Sequence, residues 1–173
     1  MSELEIAVET FDGGAMPYPL AVRLVGEGTV ERKGVTLTES PSAVFRALRS
    51  DRYTVAVDIL DPQCTTYASM RLGGVEAKAG RVRIALPGSA PIDGFVRRGA
   101  EAVPGVRVFY RPTGTTAWSS TGKVSGMDGS FQLAVPTGQV CDLCVFADSG
   151  VELTVVRHVE AGTRGVIAEV RRQ

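Results

Sequence analysis

Two tandem all-β sandwich domains are the fold class this sequence predicts, and three observations predict it. Apolar residues alternate with a period of two in nearly every segment. The 20 Gly and 9 Pro fall between those runs, where turn residues belong. The pattern then repeats after 84 to 88 residues. With 44% hydrophobic and 22% charged residues, the 173-residue chain has the composition of a folded protein.

In the first half the alternation is carried by Glu5-Ile6-Ala7-Val8-Glu9, Leu20-Ala21-Val22-Arg23-Leu24-Val25 and Tyr53-Thr54-Val55-Ala56-Val57-Asp58-Ile59. In the second half it is carried by Gly105-Val106-Arg107-Val108-Phe109-Tyr110, Phe131-Gln132-Leu133-Ala134-Val135 and Val151-Glu152-Leu153-Thr154-Val155-Val156. Side chains two apart on a strand share a face, so each run buries one face and solvates the other. Only Pro41-Ser42-Ala43-Val44-Phe45-Arg46-Ala47-Leu48-Arg49 competes as a helix, of two turns. Strand is preferred there, because the repeat sets it opposite the alternating run that begins at Asp128-Gly129-Ser130-Phe131.

The repeat matches Ile6 and Val8 with Ile92 and Gly94, Val22 and Leu24 with Val106 and Val108, Phe45 with Phe131, and Val55 and Val57 with Leu143 and Val145. Both halves close alike. Val75-Glu76-Ala77-Lys78-Ala79-Gly80 precedes Val82, Ile84 and Leu86, and Val159-Glu160-Ala161-Gly162 precedes Val166, Ala168 and Val170. The predicted domains are residues 1–88 and 89–173, joined by the stiff linker Pro87-Gly88-Ser89-Ala90-Pro91.

Composition excludes several function classes. Basic and acidic residues number 19 each, 10 and 11 in residues 1–88 and 9 and 8 in residues 89–173, so neither half carries the positive field that nucleic acid or an anionic membrane requires. No segment approaches a membrane span. The start, Met1-Ser2-Glu3-Leu4-Glu5-Ile6, has no basic or apolar signal region. Three cysteines form no disulfide framework, and a reducing, cytoplasmic setting is the expectation.

In the second half Pro104-Gly105-Val106-Arg107-Val108, Thr121-Gly122, Asp128-Gly129-Ser130-Phe131 and Val135-Pro136-Thr137-Gly138 follow one another ahead of a strand ending at Ala147. This order resembles carboxypeptidase regulatory-like domains, which belong with the transthyretin-like and Cna-B-type modules. The resemblance spans residues 92–170 and implies a seven-stranded Greek-key sandwich. Residues 3–87 resemble a weaker copy, keeping Phe45, Leu48 and Asp51-Arg52-Tyr53-Thr54-Val55 without the Asp-Gly-Ser-Phe and Pro-Thr-Gly turns. Such domains imply spacers, interaction modules or chaperoning appendages, and their motif is a fold signature without an activity.

Candidate chemistry is sparse. Cys64, Cys141, Cys144 and His158 have the donor types of a zinc site. Cys141 and Cys144, however, are three apart on a strand and face opposite sides, so buried inert thiols are the preferred reading. His158 is the sole histidine, which rules out the two-His, two-Tyr iron site of the related intradiol dioxygenases. No Gly-x-Ser-x-Gly elbow accompanies it. Hydroxyisourate hydrolases end in Tyr-Arg-Gly-Ser, whereas this chain ends Val170-Arg171-Arg172-Gln173. Isopeptide crosslinks of the Cna-B type need a strand Lys beside Asn or Asp, but Asn is absent and Lys33, Lys78 and Lys123 sit in turn-like contexts. No cofactor, metal or catalytic group is predicted.

Surface remains. Around residues 140–147, Cys141, Leu143 and Val145 are apolar on one face while Cys144 and Phe146 are apolar on the other. A solvated outer face has no need of that, so Cys144 and Phe146 are expected to pack on the first domain or on a partner. Trp118, on a polar loop after Tyr110, is either a recognition residue or a plug. The sequence therefore predicts a non-enzymatic structural or adaptor protein that contacts a protein partner through Tyr110, Trp118, Cys144 and Phe146. A carbohydrate or small-ligand module built on the Trp118 loop is the alternative.

Overall fold

Leu4, Ile6 and Val8 alternate with Glu3, Glu5 and Glu9 along β1 (Glu3–Thr10), and the apolar three are buried while the glutamates face outward. β1 is the centre of a three-stranded sheet, antiparallel to β4 (Ser42–Arg46) and parallel to β7 (Arg81–Leu86). A second sheet runs in the order β3 (Arg32–Leu37), β2 (Leu20–Gly26), β5 (Arg52–Ile59), β6 (Met70–Glu76). Leu20, Val22, Leu24, Val55 and Val57 from this sheet meet Leu4, Ile6, Phe45, Ile84 and Leu86 from the first in one core. Two sheets that close over their alternating faces make a sandwich.

The computed structural model describes residues 2–116, 118–119 and 122–171, so Thr121 of the family-like motif and the terminal Arg172-Gln173 lie outside the described residues. The chain divides into two compact units, Met1–Gly88 and Ser89–Gln173. In the second unit β8 (Ile92–Arg98) lies between antiparallel β12 (Ser130–Leu133) and parallel β15 (Val166–Glu169), with β9 (Glu101–Ala102) paired to β8. Its other sheet is β11 (Lys123–Val124), β10 (Arg107–Pro112), β13 (Val140–Phe146), β14 (Glu152–Glu160). Taken in chain order, the seven strands of unit 1 recur in unit 2 with the same neighbours, and β9 is an addition.

The ladders refine the register of the repeat. Val22 pairs with Val57 and Val108 with Val145, so Val22 corresponds to Val108, two residues further on than the matching of Val22 with Val106. A shift of two leaves every side chain on its own face, which is why alternation alone does not detect it.

Phe45 has Leu4 across the ladder, whereas Phe131 has Gly94. A Cβ on Gly94 would overlap the Val166 carbonyl oxygen and come within 2.9 Å of Phe131 Cζ, so the glycine makes room for the ring. The segment that competes as a helix is strand β4, with Ala43 and Phe45 buried and Val44 exposed. It ends where Ala47 adopts φ 54°.

Candidate functional site

β13 is apolar on both faces. Cys141, Leu143 and Val145 belong to the core of unit 2, and the opposite face carries Asp142, Cys144 and Phe146. Cross-strand pairing arranges that outer face in rows. Phe109, Cys144 and Val155 lie side by side on β10, β13 and β14; Arg107, Phe146 and Glu152 form the next row; and Arg111 stands opposite Asp142.

The loop after β10 folds back over these rows. Trp118 meets Phe146 edge to face with centroids 6.1 Å apart, and Phe109 meets Phe146 at 5.6 Å in the same geometry. Gly122 lies against the Phe109 ring, where a Cβ would be 2.7 Å from Cε1 and Cζ. The Arg111 guanidinium carbon sits 4.2 Å from the Trp118 centroid, a cation–π contact that holds the indole in place. Ala117, Ser120 and Thr121 of this loop are outside the described residues.

Beneath the loop, buried Asp142 gathers four donors. The His158 amide donates at 3.2 Å and the Thr113 hydroxyl at 3.3 Å, and the guanidinium groups of Arg157 and Arg111 lie at 3.4 and 3.5 Å. Burial pushes the Asp142 carboxyl up, but the His158 amide, the Thr113 hydroxyl and the two guanidinium groups together outweigh it and hold the group below the usual carboxylate range. Asp142 thus ties the loop, β10 and β14 to one point.

The acid also marks a β-bulge. The β13–β14 ladder slips at Asp142, and His158 opposite adopts φ 58°. Unit 1 carries the same device: the β5–β6 ladder slips at Thr54, Gly74 takes φ 71°, and its amide donates to Glu27 at 2.7 Å. There the strand supplies the hydroxyl and the loop the acid, Thr54 donating to Glu27 at 3.3 Å. In unit 2 the roles are exchanged, since strand Asp142 is the acid and loop Thr113 the hydroxyl.

Elsewhere the outer faces differ. In unit 1 Arg23 lies diagonally across from Asp58 and donates to it at 3.1 Å through Nε. The same diagonal in unit 2 is Phe109 and Phe146. A cleft of about 410 Å³ opens beside these rings, lined by Arg107, Phe109, Trp118, Phe146, Ala147, Asp148 and Gly150. Arg107 and Asp148 stand 4.0 Å apart at its rim with side chains 55% and 89% exposed, so both charges remain available to solvent. Unit 1 has a hollow of about 400 Å³, but it is lined by Glu27, Thr29, Arg49, Ser50, Asp51 and Arg52.

Of the four residues singled out from sequence, Trp118 and Phe146 meet at this cleft and Cys144 lies buried between Phe109 and Val155 on the same sheet face. Tyr110 packs against the core instead, because it stands two residues from Val108 and shares its inward face. The sequence reading missed Phe109, Arg107 and Asp148. Parity could have found the first two, since they alternate with the inward Val108.

The thiols of Cys141 and Cys144 are both pushed up to about 12, by burial first and then by the carboxylates of Asp142 and Glu152 respectively. All three cysteines are free thiols. His158 is exposed on β14. Among the described residues no three His, Cys, Asp or Glu side chains are grouped to hold a metal ion. Among them, too, no helix is long and apolar enough to cross a membrane.

No family model matches the chain, and no curated protein matches it. Among solved structures it is similar to the minor pilin of Streptococcus agalactiae, at 10% identity and TM-score 0.39, over 100% of this chain and 97% of that one. It is similar to the shaft pilin of Lactobacillus rhamnosus GG, at 8% identity and TM-score 0.36, over 99% and 98%. A streptococcal ancillary pilin is similar at 11% identity and TM-score 0.33, over 99% of this chain and 63% of that one. Likeness at this level concerns the fold alone. By its own strands and site, the chain is a tandem β-sandwich protein with an aromatic cleft on one outer face.

Proposed function

We propose that this chain is a non-enzymatic adaptor or structural protein that works by protein–protein contact, and that the outer face of unit 2 around Trp118 and Phe146 is the contact. The supporting observation is the contrast between the copies: the diagonal that holds the Arg23–Asp58 ion pair in unit 1 holds the Phe109–Phe146 ring pair in unit 2. A sheet face turned only to water keeps polar residues, whereas half-buried aromatic rings beside an open cleft suit a contact. Among the described residues lining the cleft, Arg107 and Asp148 alone bring charge, which suits an apolar side chain from a partner better than a sugar with its many hydroxyls.

Unit 2 is read here as a carboxypeptidase regulatory-like module. In support, Asp128 accepts the Ser130 amide at 2.9 Å, Gly129 takes φ 77°, and Phe131 enters the core, so the Asp-Gly-Ser-Phe turn has the geometry its residues imply. The free thiols suit a reducing, cytoplasmic setting. The test is partner capture from the source cell, comparing wild type with a Trp118→Ala, Phe146→Leu double variant of matched melting temperature. Loss of the partners supports the reading. Equal recovery of every partner removes it.

A further inference from the structure

We infer that the edge strand β14 is a two-fold contact with a second copy of this chain, paired antiparallel with itself about Val155. The inference goes beyond the contact reading above, since no residue of β14 is among the described residues lining the cleft.

β14 is the outermost strand of its sheet, so alternate N–H and C=O groups on one side of it face away from β13. Such edges are normally short or guarded, and the others in this chain follow that rule. β4, β12 and β15 have five residues or fewer, and β11 has two. β7 carries Arg81 and Arg83, β3 opens with Arg32-Lys33, and β6 is interrupted by Gly73-Gly74. β14 instead runs for nine residues, Glu152–Glu160, without Gly, Pro or Lys.

Two bulges and three charges would ordinarily guard this edge as well. Here they are placed so that the strand fits itself. Both slips of the β13–β14 ladder put the extra residue in β14, one at Leu153 and one at Arg157-His158. Val155 stands midway between Leu153 and Arg157. A two-fold axis through Val155 therefore sets each bulge of one copy against the other bulge of the second, and the kinks of the two strands match.

Side chains match on both faces. Glu152 and Arg157 flank Val155 on the outer face, and about this axis Glu152 of each copy meets Arg157 of the other. Arg157 is 62% exposed while it contacts Asp142, so its guanidinium has donors left for a second carboxylate. Leu153 and Val156, both packed on the core of unit 2, come side by side across the contact on the inner face. In the same register Glu160 stands opposite Gly150 and Asp148 opposite Gly162, so neither meets a like charge. Two paired strands bury less than a standard interface, which makes this dimer a reversible one.

The experiment is sedimentation velocity on the full chain from roughly 1 µM to 1 mM, a range that spans weak self-association. Wild type should pass from monomer to dimer, more readily at low salt. Glu152→Arg and Arg157→Glu, each with the circular dichroism of wild type, should weaken the dimer about tenfold or more, because each sets two like-charged pairs across the axis. Mixed in equal amounts, these two variants should associate with each other, since every pair across the axis is again Arg with Glu. Mixing restores a charge pattern but repairs no damaged fold. Arg157→Gln keeps a donor for Asp142 and should weaken the dimer by a smaller factor, which covers disturbance of the bulge by the reversed charge. A wild type that stays monomeric throughout would overturn the inference and leave the edge to a strand of another protein. A dimer that the charge variants leave intact, or weakened variants that fail to associate when mixed, would overturn it equally. Partner capture tests the cleft separately, so the contact reading stands or falls on its own result.

Discussion

Asp142 accepts the His158 backbone amide at 3.2 Å across a β-bulge, and this bond joins the centre of the outer sheet face to its edge strand. The carboxylate also holds Thr113, Arg111 and Arg157, so the loop that carries Trp118 is fastened to the sheet through one buried acid. Glu27 does the same for Gly74 in unit 1, with the acid and hydroxyl exchanged between loop and strand. Placement of the cleft therefore depends on chemistry one layer below it.

Replacing that acid should be costly. Asp142→Ala removes the acceptor shared by the His158 amide, the Thr113 hydroxyl and the mostly buried Arg111 guanidinium, and should lower stability by about 2 kcal/mol, within the range for polar groups left unsatisfied. Urea unfolding followed by circular dichroism measures the loss. Trp118 emission should shift to the red in the folded variant, because Arg111 would no longer be held against the indole. An unchanged emission maximum would show that the loop is seated by other contacts.

The same carboxylate sets a pH dependence. Its folded pKa lies below its unfolded value, so its contribution is complete above the unfolded carboxyl range, about 3.9. It is lost as pH falls through the folded value. Wild type should therefore lose stability on acidification below about pH 4 more steeply than Asp142→Asn, which carries no titrating group there. Midpoints of urea unfolding at successive pH values test the difference.

His158 sits at φ 58°, where a Cβ crowds the following carbonyl. Unit 1 places Gly74 at its bulge. His158→Gly should raise the stability of unit 2 by roughly 1 kcal/mol, since the strain relieved exceeds the added freedom of the unfolded chain. Equilibrium unfolding of the two proteins measures it, and a loss of stability would show that the imidazole makes compensating contacts.

Gly94→Ala tests the core of unit 2. The added methyl overlaps the Val166 carbonyl oxygen and presses on Phe131, and backbone cannot retreat without breaking the β8–β15 ladder. A loss of about 3 kcal/mol or more is expected, at the upper end of overpacking costs. Calorimetry of the intact chain should show a lowered transition for unit 2.

Thiol chemistry separates the cysteines. With pKa values pushed up to about 12 and side chains buried, Cys141 and Cys144 should resist an aromatic disulfide reagent at pH 8. Half-buried Cys64 should react first, and the other two only after denaturant is added. Rapid reaction of all three in the native protein would contradict the packing described for β13.

Much of the architecture is legible from residues alone. Leu4, Ile6 and Val8, or Leu143 and Val145, face inward because a strand turns alternate side chains to opposite sides, and that rule needs no knowledge of neighbours. Both copies of the unit, the strand at β4, and the opposed faces of Cys141 and Cys144 follow from it. The two-residue offset between Val22 and Val108 does not, because parity is unchanged by a shift of two.

The cleft was decided by tertiary structure. Nothing local to Trp118 says that its loop folds back onto Phe146, or that Arg111 stacks on it while reaching Asp142. Those contacts join residues up to 31 positions apart through strand pairing, a bulge and a carboxylate that gathers donors from separate strands. A period of two is set by the backbone of each strand, so the sequence carries it. Which outer-face groups meet above the sheet depends on how loops close over it, and only the folded chain supplies that geometry.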